Sequence, residues 1–216
     1  MSESEKEPER THGIRKVRVT EGFLRLDDIY FGVAQDQVEW YLQFCRKVEQ
    51  EQLPLSPIQR LVAEVRSAAT SMAMLCAAME AHANFLLDAS AHKRFPNEIH
   101  LSGNGSERII NSLEIQTKWL FVSVMLTGKQ VLDPGEQPFQ GFSDAVKTRN
   151  NLVAHPKLRE KPFDKWHEPN DLTIRAAQAA IKAAQDTVIA VYTAMEREPP
   201  AWTRSQGGSV MFLRGE

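Results

Sequence analysis

Apolar residues recur along this chain mostly at helical spacing. Between Gln35 and Gln52, Val38, Tyr41, Leu42 and Cys45 fall on one face until Pro54 interrupts, which predicts a first helix. A longer second helix is predicted from Pro57 to Ala89. Ser56 stands as its N-cap and Pro57 at its first helical position, where the missing N–H of proline costs nothing. Ile58, Val65, Met72, Met79 and Leu86 recur every seven residues, with Val62, Ala69, Cys76 and Ala83 at the interleaved positions of a bundle seam. Between Ala68 and Met79 nearly every residue is small or apolar. Such a helix is expected to be covered on more than one side, within its own bundle or by a second subunit.

After the flexible break Ser102-Gly103-Asn104-Gly105, Ser106 can cap a third helix that carries Ile109, Ile110, Leu113, Trp119, Leu120 and Val124. Gly128 and Pro134-Gly135 close it. A fourth helix is predicted from about Phe139 to Ala154. The last begins at Asn170 or Asp171 and bears the stripe Ile174, Ala177, Ile181, Ala184, Val188, Val191 and Met195, with alanines that permit close approach of a neighbour. Gly13 to Val33 instead shows a β-type alternation in Val17, Val19, Phe23, Leu24 and Leu26, and Ser209 to Leu213 is similar, so a small ribbon could join the two ends. The fold class expected is all-α, an antiparallel bundle of four to five helices with a possible terminal β ribbon. Its organisation is a disordered segment at 1–12, an extension with the first helix at 13–55, the helical bundle at 56–197 and a tail at 198–216.

Composition narrows the choice of chemistry. A chain of 216 residues, 42% of them hydrophobic, can bury one good-sized core but cannot house a large multidomain enzyme. With 26 Lys+Arg against 28 Asp+Glu the formal charge is -2, so any affinity for nucleic acid must come from a local patch. Cys45 and Cys76 lie in apolar helical stretches without C-x-x-C spacing, which favours a reduced cytoplasmic setting and argues against zinc. No metal and no cofactor are expected. The mixed charges of Met1 to Arg10 do not suit a signal peptide, and no uninterrupted apolar run reaches the ~18 residues of a membrane span.

The candidate chemistry lies at the end of the fourth helix. Phe139, Phe142, Val146 and Val153 define its apolar stripe, and Arg149 falls on that stripe, so it should point inward or into a cleft. A guanidinium cannot lose its proton to escape burial, and there it needs a carboxylate or a phosphate. Asn150 follows it directly, and His155 stands just before Pro156, which bars further helix. RNA cleavage without a metal needs groups to move protons at the ribose 2′-hydroxyl and the leaving oxygen, and a cation at the phosphate. Histidine suits the proton transfers, arginine suits the phosphate, and Asn150 could orient either. Lys147, Lys157 and Arg159, with Lys161 and Lys165, outnumber Asp144, Glu160 and Asp164 around them and could bind the polyanion. The plainer reading is that these lysines are solvated, that His155 caps the helix end, and that Asn150 and Asn151 terminate it.

The run from Phe142 to Pro156, with Arg149, then Asn150, then His155 within four to six positions, closely resembles the signature of HEPN domains. The stretch Ala77 to Leu87, with Glu80 and Asn84 one turn apart, resembles the long helix of many such proteins. The resemblance covers roughly Pro57 to Glu196. It implies a helical bundle that pairs as a homodimer and sets two Arg/His pairs across one cleft. It also implies a metal-independent endoribonuclease, acting on RNA in toxin-antitoxin, antiphage or other RNA-processing systems, with a cognate inhibitor or antitoxin as a further partner. Carried over, Arg149, Asn150 and His155 would be catalytic. Other members serve only as dimerisation or interaction modules, and that alternative stays open. Glu80 and Asn84 must find partners on the half-buried helix; they are structural, with Glu80 able to pair with Arg149, or they support the site. His82 and His92 lack ligand-spaced partners and are expected at the surface or an interface. No Gly-rich phosphate loop supports a nucleotide-binding role.

Overall fold

The computed structural model describes residues 25–94, 112–154 and 172–204. Among them are helices α1 (Leu26–Gln50), α2 (Pro57–Arg94), α3 (Ile115–Thr127), α4 (Phe139–Thr148) and α5 (Ile174–Ala194), and no strand. A π-helical turn, Arg149–Ala154, continues α4, and a 3-10 turn, Ala201–Thr203, follows α5. The described residues form an all-α bundle. Both stretches that would form the terminal ribbon, 13–24 and 209–213, lie outside the described residues.

The β-type reading of Leu26 to Val33 is overturned, and α1 starts nine residues before Gln35. Phe31, Ala34 and Val38 repeat at helical spacing and are buried, and that burial outweighs the local alternation. Asp27 and Asp28 in the first turn favour a helix N-terminus through its dipole. At α2, Ser56 caps as expected: the Gln59 N–H donates to Ser56 Oγ at 3.3 Å while the Ser56 N–H donates to Gln59 Oε1 at 2.9 Å, a reciprocal capping box.

α2 is the central helix, packed against α1, α3 and α5 and against the π-turn. The Pro57–Leu87 stretch is apolar enough by length and composition to cross a membrane, and that apolarity is used by Met72, Leu75, Cys76, Met79, Ala83 and Leu86 inside the bundle. The heptad stripe is not covered throughout. At its N-terminal end Ile58 and Val62 are 50% and 60% exposed. Trp119 of α3 is wholly buried and its indole N–H donates to the Met79 carbonyl at 3.1 Å. Gly128, in the left-handed conformation at φ 77, closes α3 as the sequence suggests, whereas the proposed Ser106 cap lies outside the described residues.

α5 runs parallel to α2 and is tied to it at both ends. Its N-cap is Thr173 and not Asn170 or Asp171: the Ala176 N–H donates to Thr173 Oγ1 at 3.1 Å. Glu64 of α2 accepts from the Ile174 N–H at 3.1 Å, placing a carboxylate at the positive end of α5. At the far end His82 corrects the surface assignment. Its ring is 0% exposed, stacked between Trp119 and Tyr192 with Trp202 edge-on. His82 Nδ1 donates to Asp27 Oδ2 at 2.7 Å, and Nε2 shares a hydrogen bond with the Tyr192 hydroxyl at 3.2 Å. A buried imidazole needs such partners, and α1 and α5 supply them across the bundle.

Candidate functional site

The α-helical bonding of α4 gives way to a π-helical turn at Arg149, the first residue of the motif singled out in the sequence. Phe139, Phe142 and Val146 bury the stripe that leads to it. The expected continuous helix from Phe139 to Ala154 is therefore two kinds of helix. Asn150 and Asn151 are poor helix formers because their amides compete for backbone groups, and both are exposed. A wider turn is rare and tends to occur where a side chain has to be re-aimed for use.

Arg149 is half-buried, and its Nε atom is fully buried with no hydrogen-bond partner. The guanidinium lies beside the Cys76 thiol of α2. Burial pushes that thiol up from its ordinary value, while Arg149 acts in the opposite direction. A buried thiol is a weak acceptor and no counterion for a guanidinium. One turn further along α2, Glu80 does not pair with Arg149. Lys118 of α3 takes it instead, Nζ to Oε1 at 2.6 Å. The pair is lopsided, with the lysine side chain 1% exposed and the glutamate 43%. Another turn on, Asn84 has its Oδ1 atom buried and without a hydrogen-bond partner. Cys76, Glu80 and Asn84 thus form one polar line on α2, with Arg149 at one end and Lys118 beside its middle.

The structure brings Arg149 and Asn150 to the π-turn beside that line. Lys147 is exposed and bound to Asp144 at 3.0 Å, a surface pair of small energetic value. His155, Lys157 and Arg159 lie outside the described residues. Among the described residues no group of His, Cys, Asp and Glu could hold a metal ion.

Sequence reasoning missed Lys118 and the role of Cys76. Lys118 had a readable signal: it sits three residues after Ile115 and four before Val122, on the buried stripe of an otherwise apolar helix. The thiol contact had none, because only the packing of the π-turn on α2 creates it. Comparison of the chain with known protein families, with curated proteins and with solved structures finds no match.

Proposed function

We propose that this protein is a metal-independent endoribonuclease of the HEPN type, a homodimer that cleaves RNA by attack of the ribose 2′-hydroxyl on the adjacent phosphodiester. The observation that carries the reading is Arg149: a guanidinium at a π-helical turn whose buried Nε has no hydrogen-bond partner and which, among the described residues, lies beside a thiol and is paired with no carboxylate. A phosphate would supply the missing acceptor and the missing charge, and bidentate contact would favour the crowded, more highly charged transition state. In this reading the new phosphorus–oxygen bond forms from the 2′-oxygen as the 5′-oxygen leaves. The products are a cyclic phosphate and a free hydroxyl, and His155 serves the proton transfers. Asn150, exposed beside Arg149, can orient the phosphate. An effector role in a toxin-antitoxin or antiphage system, restrained by a cognate protein, fits such an activity.

The second reading is a HEPN-like dimerisation or interaction module, favoured by the apolar side chains left uncovered at Trp40, Ile58, Val62, Phe121 and Val124. The deciding experiment incubates the full chain with end-labelled RNA in excess EDTA beside a folded His155→Ala variant. Cleavage by the wild type alone supports the nuclease. Absence of cleavage across several RNAs, or equal cleavage by both proteins, rejects it in this form.

A further inference from the structure

We propose that Glu80, clamped by Lys118, accepts a hydrogen bond from the ribose 2′-hydroxyl and so makes this site select ribonucleotides over deoxyribonucleotides; this rests on the reading that Arg149 holds a phosphodiester. A bare carboxylate beside a phosphate site would repel its ligand. Lys118 removes that penalty: its ammonium, buried and 2.6 Å from Oε1, neutralises the carboxylate from behind. The lysine is too deep to touch a ligand itself, and its buried pairing with Glu80 is weak evidence of a gain in stability. What it leaves is a half-exposed carboxylate with one oxygen tied to Lys118, one helical turn from the thiol beside Arg149.

Such a carboxylate can only accept, and a neutralised, fixed acceptor suits a hydroxyl donor. Beside a phosphodiester, the hydroxyl that separates RNA from DNA is the ribose 2′-OH. In this arrangement Glu80 is a positioning residue. It orients the 2′-oxygen relative to the phosphorus that Arg149 holds.

The test measures binding of a short single-stranded oligoribonucleotide and its deoxy counterpart, in EDTA and in a His155→Ala background that keeps the ligand intact. Glu80→Gln retains an oxygen for Lys118 but loses the charge. It is expected to weaken ribo-oligomer binding about tenfold and leave the deoxy-oligomer unchanged. Lys118→Met keeps Glu80 but frees it, and is expected to narrow the same preference should Glu80→Gln fail to fold. A ribo/deoxy ratio unmoved by either folded variant, or both ligands weakened alike, overturns the role of Glu80. The underlying reading is checked separately by Arg149→Ala, which should weaken both ligands. If it weakens neither, the phosphate site fails and the proposal with it.

Discussion

Asp27 is held as an ion inside the bundle. Burial alone would raise its carboxyl, but hydrogen bonds from His82 and Arg25 outweigh that and hold it well below the usual carboxylate range. A depressed carboxyl contributes its full stabilisation above the unfolded value of about 4 and loses it as pH falls toward the depressed folded value. Melting temperatures should therefore drop between about pH 5 and 3, and Asp27→Asn should be less stable at neutral pH yet show a shallower fall across that window. An unchanged slope in the variant would show that other groups govern the acid response. The Glu80–Lys118 pair makes an asymmetric prediction. Glu80→Ala leaves a buried ammonium without its carboxylate and should cost about 3 kcal/mol in chemical denaturation, whereas Lys118→Met should cost much less. Equal losses would mean that the pair is not the source of the penalty.

Among the elements, α4 and α5 approach each other more closely than side chains normally permit. A Cβ added at Gly141 would stand 2.9 Å from Ala183 Cβ and 2.9 Å from Gln137 Oε1. Glycine costs helix propensity there, so Gly141→Ala gains about 1 kcal/mol locally. The clash with a backbone-attached methyl should outweigh that gain, for a net loss of about 1–2 kcal/mol that Ala183→Gly partly restores. Additive losses in the double variant would refute the contact. The alanines of the last helix announced such an approach, but the partner glycine could not be picked out, because closeness between helices is a property of two sequences at once. The same limit explains the other misses. Helix α1 began early because Phe31 and Ala34 are judged by what covers them and not by their immediate neighbours. The π-turn was invisible because a six-residue segment is too short for its apolar pattern to separate α- from π-helical bonding. The stripe leading to Arg149 and the capping box at Ser56 were legible because both depend on residues a few positions apart.

On the scale of the whole molecule, the core closes around Trp119 and His82. Trp119→Ala should remove both the indole hydrogen bond to Met79 and the ring against His82, costing about 3–5 kcal/mol and lowering the melting temperature by roughly 10 °C. A drop of only a degree or two would show that α3 is peripheral to stability. The all-α class was readable because five amphipathic segments leave few other ways to bury their faces, while the parallel course of α2 and α5 was not, since nothing local encodes it. That course joins residues far apart in order of synthesis: Glu64 to Ile174 and His82 to Tyr192, each pair 110 positions apart. On the ribosome, the first hairpin therefore emerges with a carboxylate and an imidazole that already meet Tyr41 and Asp27 within it and lack only their contacts with α5. Both contacts that tie α2 to α5 must wait until residues 174–192 have been made, so a hairpin that can already pack on itself receives its second set of partners late.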